Sequence, residues 1–248
     1  MRLAIISDVH SNLEALEIFL DTISLQRVDR LFCLGDSIGY GPNPNECLEL
    51  IRSLDEAVVL MGNHESAALN LGEARWQMNP IAFKAIVWTE QRLTKANMDY
   101  IRGLPLSAEF DPWAFFHASA YRPERWDYIR PKDRLKVGLC VEFARKRIVC
   151  VGHTHQPMLL DTNGDPVLAA SFFSDGTSYR EDRASKLIVN PGSIGQPRDH
   201  VSRPSYIIYD SSDRTITWHR LSDYDPSVTA EKILSTDLPS ELAYYLTG

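Results

Sequence analysis

The chain has 248 residues, 44% hydrophobic and 24% charged, which suits one α/β domain with a large core or two small ones. Its formal net charge is −7, so a general electrostatic hold on nucleic acid is not expected, and an anionic substrate would need a local positive centre of the kind bound metal ions supply. No apolar run is long enough to span a bilayer, Asp8 interrupts the N-terminus before a signal-peptide core could form, and Cys33, Cys47, Cys140 and Cys150 form no Cys-x-x-Cys pair; the expectation is a cytoplasmic protein with buried, reduced thiols.

Arg2-Leu3-Ala4-Ile5-Ile6 is short and apolar and predicts a buried strand that ends in Ser7-Asp8-Val9-His10. Ser11-Asn12-Leu13-Glu14 has capping-box spacing and opens a helix over about residues 12–24, with Leu13, Leu16, Leu20 and Ile23 on one face. Asp8 and His10 thus sit where a strand stops, and in extended backbone their side chains would point the same way. A second strand over 30–34 ends in Gly35-Asp36. The loop Gly39-Tyr40-Gly41-Pro42 is unlike a dinucleotide or P-loop fingerprint. Asn43-Pro44 caps a helix to about Leu54, and a third strand over 57–61 ends in Gly62-Asn63-His64-Glu65. This alternation predicts a mostly parallel sheet with helices on its faces.

Residues 65–104 read as a helical insertion, with Asn79-Pro80 and Thr94 as caps. No linker-like composition flanks it, so a single domain over 1–248 is expected. Trp113-Ala114-Phe115-Phe116 is a strand ended by His117, residues 121–134 a long loop, and Leu135–Lys146 a helix. A fifth strand over 147–151 ends in Gly152-His153-Thr154-His155. Asn163-Gly164 between Met158–Leu160 and Val167–Ala169 is a type I′ hairpin signal. Strands follow at 187–189, 206–209 and 215–218, then a tail after about residue 223 with helical spacing.

Set side by side, the five apolar runs before that point end in Asp8/His10, Asp36, Asn63/His64, His117 and His153/His155. Ligands bind outside the carboxyl ends of strands in open α/β sheets, so these side chains converge if the strands share one sheet. Five of the seven histidines occupy these ends, a placement that surface histidines and helix caps would not adopt by chance. Two carboxylates, several imidazoles and an amide suit Mn²⁺, Fe²⁺, Co²⁺, Ni²⁺ or Zn²⁺ better than Mg²⁺ or Ca²⁺, and they are too many for one ion, so two are expected. Two divalent ions stay net cationic beside Asp8, Asp36 and a bridging hydroxide, the positive centre that a phosphate needs.

In order, Asp-x-His, Gly-Asp, Gly-Asn-His-Glu, a lone strand-end His and Gly-His-Thr-His resemble the calcineurin-like metallophosphoesterase superfamily. Gly39-Tyr40-Gly41-Pro42, Asn190-Pro191-Gly192-Ser193 and Gln196-Pro197-Arg198-Asp199 are similar to its small bacterial and archaeal phosphodiesterases. The resemblance covers about residues 1–220. It implies an α/β (α+β) fold of two mixed sheets packed as a sandwich, flanked by helices, with metals at one edge. It further implies that Asp8, His10, Asp36 and His155 hold one metal, and that Asp36 bridges to a second completed by Asn63, His117 and His153. His64 then stays free of metal, to donate a proton to the leaving oxygen or stabilise charge on the phosphoryl group. Ser11 stands where many relatives have Gly, and Ala118 follows His117 where many have Gly; neither change removes a ligand. The implied activity is metal-dependent hydrolysis of a small phosphorylated substrate, a phosphodiester by analogy with the family. The alternatives are a phosphomonoesterase, a nuclease of the superfamily, which would bring basic surfaces not evident here, or a non-catalytic scaffold of the same fold, as in a retromer subunit.

Other residues carry weaker signals. Arg198, with Asn63, is a candidate contact for a substrate phosphate or else a solvent-exposed Arg. Trp126 and Tyr128 are candidates to stack on a nucleobase or simply to pack. Ser193 lacks nucleophile-elbow spacing and reads as a turn residue. Trp88, Trp113 and Trp218 read as core, His219 as a surface strand residue, and His200 as a loop residue that reaches the site or does not.

Overall fold

The computed structural model describes residues 1–168, 173–199, 201 and 203–247. Its β-branched and aromatic runs form two mixed sheets. In the first, β1 (Arg2–Ile6), β2 (Arg30–Cys33) and β3 (Ala57–Val59) pair in parallel, and β10 (Ser205–Asp210), β11 (Thr215–Arg220) and β8 (Thr177–Arg180) extend it antiparallel, in the order β3-β2-β1-β10-β11-β8. In the second, β5 (Trp113–Phe116), β6 (Ile148–Val151) and β9 (Leu187–Asn190) are parallel, flanked by antiparallel β4 (Ser107–Phe110) and β7 (Met158–Leu160). The single sheet expected from the strand-helix alternation is therefore two sheets, as the family resemblance implied.

Period-two alternation builds the sandwich. Leu3 and Ile5 of β1 turn inward with Phe32, Trp113, Phe115, Ile148, Cys150, Val189 and Trp218 to form the layer between the sheets. Their neighbours Ala4 and Ile6 turn outward under α1 (Leu13–Ser24) and α2 (Pro44–Arg52). On the far side, Ala114, Val149, Val151 and Ile188 pack under α7 (Arg134–Ala144). Trp88, Trp113, Trp218 and all four cysteines are buried, as expected. Among the described residues no helix is long and apolar enough to cross a membrane.

Several local expectations are revised. The helix after β1 is capped by Asn12, whose Oδ1 accepts Ala15 N–H at 3.1 Å, and not by a Ser11–Glu14 box. Glu14 instead accepts from Thr229 and Lys232 of α8 (Pro226–Leu234), which a tertiary partner makes more favourable than a local cap. The insertion holds α3 (Asn63–Leu69) and α4 (Leu71–Gln77) besides the expected α5 (Pro80–Glu90) and α6 (Lys95–Arg102). Strands β4 and β8 were not expected; both carry alternating, half-exposed polar sequences that lack an apolar run. In the 161–165 turn only Gly164 is left-handed, and Asp161 Oδ1 accepts the N–H groups of Asn163 and Asp165, so the loop is wider than type I′. The hairpin is joined at Leu160 and Pro166; Ala169 of that expected strand lies outside the described residues. The tail forms α8 and α9 (Glu241–Thr247), which pack on α5 through Ala85, Trp88, Ile233, Leu242 and Leu246.

Candidate metal centre

The strand-end loops meet at one edge of the sandwich, where each fixes another. Asp8 and His10 N–H donate to the carbonyls of Gly35 and Asp36 at 3.1 and 2.8 Å, and Gly195 N–H and Ser193 Oγ both donate to Asp8 O at 2.8 Å. Ser193 is thus a turn residue whose hydroxyl holds the Asp8 loop in place. Asp8 and His10 do not converge through extended backbone. Asp8 (φ +56°), His10 (+49°), Asp36 (+55°), His153 (+63°) and His155 (+57°) all lie in the left-handed region, at a cost of about 1–3 kcal/mol each that the surrounding hydrogen bonds offset. Ser11 shares this conformation at +53°, which explains why Gly suits its position.

Each carboxylate has one oxygen tied to backbone and one turned to the centre. Asp8 Oδ2 accepts His153 N–H at 3.1 Å, leaving Oδ1 buried and without a partner. Asp36 Oδ1 accepts His64 N–H at 2.8 Å, leaving Oδ2 at 3.3 Å from His117 Nε2 and 3.7 Å from His10 Nε2. The imidazoles are oriented from behind. Nδ1 of His10, His117 and His155 faces the carbonyl oxygens of Ile38, Leu34 and Gln196 at 3.1, 3.1 and 2.6 Å. A carbonyl only accepts, so Nδ1 carries a proton and each Nε2 points inward, as a lone pair wherever the ring is neutral. There His10 Nε2 lies 3.1 Å from His155 Nε2, and His117 Nε2 3.2 Å from both His153 Nδ1 and Asn63 Oδ1.

Lone pairs directed at one another are repulsive unless a cation lies between them. Two nitrogens about 2.1 Å from one ion and at right angles are about 3.0 Å apart, so the spacing fits. Three overlapping groups have ligand atoms mutually within 4.8 Å: Asp8-His10-His155, Asp36-His117-His153 and His10-Asp36-His64. Asp36 and His10 are common to neighbouring groups. Every expected ligand, together with His64, is therefore brought to one place, in an arrangement that suits divalent cations.

Burial sets the electrostatics. It holds His10, His153 and His155 well below the ordinary histidine value, and His64 at about 4, so these rings are neutral near pH 7. Burial also opposes charge on His117, but Asp36 beside it outweighs this and raises His117 to about 9. Burial pushes Asp36 up, and the His117, His64 and His10 imidazoles outweigh that and hold it well below the carboxylate range. Asp8, desolvated and next to Asp36, rises to about 7.

Glu65 is a functional residue that the sequence did not reveal. Fully buried, it accepts the N–H groups of Asp36 (2.9 Å), Ser37 (2.7 Å) and Gly62 (2.8 Å), which ties the Asp36 loop to the start of α3. Its signal was a Glu at the third position of a helix, where carboxylates meet free N–H groups. Tyr40 is another: its ring lies 4.6 Å from His10 and 4.5 Å from His64, edge-on to the latter. Arg198 is exposed, with its guanidinium 5.8 Å from the Tyr40 ring and Nη2 on Gln196 Oε1 at 2.8 Å. Tyr128 stacks on His153 at 4.0 Å, and Trp126 meets His117 edge-on at 5.9 Å. His219, on β11, stacks on Tyr206 away from the centre, and His200 lies outside the described residues.

The calcineurin-like phosphoesterase superfamily domain matches residues 1–214. An uncharacterised protein of Methanocaldococcus jannaschii is 37% identical over 244 residues, 97% of this chain and 95% of that protein. The crystal structure of a metallophosphoesterase from Sphaerobacter thermophilus is similar with a TM-score of 0.85 and 34% identity, covering 100% of this chain and 98% of that one. A symmetrical bis(5′-nucleosyl)-tetraphosphatase of Chromohalobacter salexigens is 31% identical over 123 residues, 47% of this chain and 42% of that enzyme.

Proposed function

This chain belongs to the calcineurin-like phosphoesterase superfamily, and on that premise we propose that it is a cytoplasmic, binuclear metal-dependent phosphodiesterase whose 248 residues form one domain. The observation that carries the reading is the opposed lone-pair contact of His10 Nε2 and His155 Nε2 at 3.1 Å beside Asp8 Oδ1, with His117 Nε2 3.2 Å from His153 Nδ1 and 3.3 Å from Asp36 Oδ2 in the other half. Asp8, His10, Asp36 and His155 would hold one cation, and Asp36, Asn63, His117 and His153 the other, with Asp36 shared. Mn²⁺, Fe²⁺, Co²⁺, Ni²⁺ and Zn²⁺ all suit this nitrogen-rich set. When bound, such ions supply Lewis acidity at the phosphoryl oxygens and a water of lowered pKa.

The protein's own side chains supply the rest. Asp8 and Asp36 would hold the cations through the oxygens that face the centre, while their other oxygens are anchored to backbone N–H groups. Of the two roles for His64, burial favours the second: with its value near 4 it is neutral at pH 7, so it acts by donating an N–H hydrogen bond to charge on the leaving or non-bridging oxygen. Arg198, at the exposed rim beside Tyr40, would contact a second non-bridging oxygen. A scaffold that binds no metal would leave Asp8 Oδ1, which has no hydrogen-bond partner, and the facing lone pairs with no compensation for their burial.

The test is hydrolysis of bis(4-nitrophenyl) phosphate by the purified protein with Mn²⁺. Turnover that needs the metal and is abolished by EDTA is expected. Activity that survives complete metal removal would sink the mechanism.

A further inference from the structure

A cleft of ≈ 790 Å³ opens from the His64 side of the centre, with Asn63, His64 and His153 at its inner end. Helices α3–α5 form one wall, which presents Ala67, Ala74, Met78 and Ala82. The same wall carries Ser66, Asn70, Gln77 and Asn79, so small and unbranched apolar side chains are interspersed with hydroxyl and amide groups. The other wall is the turn at Pro123–Arg125 followed by Trp126. The Tyr128 ring is already engaged, stacked on His153 at 4.0 Å and with the Arg130 guanidinium 4.9 Å from its centre. Trp126 is half-buried and meets His117 only edge-on, at 70°. It is the aromatic plane of this wall that is left to stack on a ligand.

The charge of the cleft is equally informative. Beyond the centre its ionised side chains are Arg125 against Glu73 and Glu124. The Glu73 carboxylate is met by the neutral amides of Asn70 and Gln77, at 3.2 and 2.7 Å, and among the described residues by no cation. Arg198 stands outside the cleft, at the Tyr40 rim. A chain of several phosphates laid along the cleft would meet two carboxylates and one guanidinium, an unfavourable balance. An uncharged flat ring with hydrogen-bonding edges meets an aromatic plane and a wall of small side chains and amides, a favourable one.

We infer that the substrate is a phosphodiester with a single phosphate whose leaving alcohol carries a flat, uncharged heteroaromatic ring, a nucleoside, seated between Trp126 and the amide- and alanine-bearing wall of α3–α5. This deepens the phosphodiesterase reading and rests on it. Water adds to phosphorus and the P–O bond on the cleft side breaks. The nucleoside departs as an alcohol carrying a proton that derives from the attacking water, and a phosphomonoester remains; no oxidant or further reactant is needed. His64, at the inner end of the cleft, lies on the side from which the alcohol leaves.

The test has two arms on the Zn²⁺- or Mn²⁺-loaded protein. In the first, adenosine alone is titrated and tryptophan fluorescence is read. Saturable quenching is expected, weakened about tenfold or more in Trp126→Ala, the loss that one stacked base accounts for. No quenching, or equal affinity in the variant, overturns ring recognition whether or not the protein hydrolyses anything. In the second, kcat/KM is compared for adenylyl-adenosine, bis(glyceryl) phosphate and diadenosine tetraphosphate. The first is expected to exceed both others by about tenfold or more. The double variant Glu73→Lys, Glu124→Lys, changed at exposed positions, is expected to move the preference toward the tetraphosphate. A wild-type preference for the tetraphosphate, or none among the three, overturns the single-phosphate nucleoside assignment. Inactivity on all three with metal bound overturns the phosphodiesterase reading instead, and the quenching still decides ring recognition.

Discussion

The two halves of the centre use the same residue types at the same spacing and behave oppositely. His155 Nε2 lies 3.3 Å from Asp8 Oδ1, and His117 Nε2 lies 3.3 Å from Asp36 Oδ2. Yet His117 is raised to about 9 beside an ionised Asp36, while His155 is held well below its usual value and Asp8 rises to about 7. The difference lies in the neighbours. Asp36 has three imidazoles within 4.0 Å, His117, His10 and His64, where Asp8 has two, His155 and His10; Asp36 with His117 is the pair that keeps its charge, and burial disfavours a second ion pair next to it. Without metal, the second half holds a proton on its imidazole where a cation would bind, whereas the imidazoles of the first half present lone pairs.

This contrast can be broken at several levels. Removing the shared carboxylate has the largest expected effect: Asp36→Asn should lose both ions by elemental analysis and lower kcat by about 10³-fold or more. His64→Ala should lower kcat by about 10²–10³-fold with metal content retained, since the catalytic hydrogen bond is lost and the ligands are not. Glu65→Gln should weaken metal affinity by about 10–100-fold, because an amide cannot accept from all of the N–H groups that the carboxylate now holds.

A fourth prediction separates the two halves through their protons. His117 titrates near 9 without metal, so at pH 7 it is charged and must release its proton to become a ligand. Metal loading of the unbuffered protein at pH 7 should therefore release about one proton from this site. The His117 share of the release should fade as the pH rises through about 9, where His117 is already neutral, and should be missing in His117→Gln, which leaves only the share of Asp8, raised to about 7. Release that stays constant to pH 10 would refute the assigned ion pair. The smallest effect concerns the buried link from the tail to the first half. Thr229 Oγ1 contacts Asn12 Oδ1 and Glu14 Oε2 at 3.0 and 2.8 Å, and Asn12 donates to Gly195 O at 2.9 Å. Thr229→Val should cost about 1–3 kcal/mol in thermal unfolding while the metal content stays that of the wild type.

Much of the centre was legible in the chain because its chemistry is local. Apolar runs end in carboxylates and imidazoles at five places, and each ending can be read without knowing where the others lie. The α5 and α6 starts were legible for the same reason, since the Asn79 and Thr94 caps act over three residues, whereas α2 starts at Pro44 with no side-chain cap bond from the expected Asn43. Glu65 was harder, because its partners at Asp36 and Ser37 are 29 and 28 residues away. Strands β4 and β8 were invisible because their neighbours make them strands, through pairing with β5 and β11, and not their own hydrophobicity.

By itself the sequence determined the ligand types, the order in which they occur and the strand ends that carry them, since side-chain chemistry and short-range periodicity are properties of neighbouring residues. Tertiary structure alone decided that those ends belong to two sheets, that left-handed turns aim Asp8, His10 and Asp36 at one point, and that one of two equal carboxylate–imidazole pairs carries the charge. Those outcomes depend on desolvation and on distances between segments remote in the chain, which exist only once the core has packed.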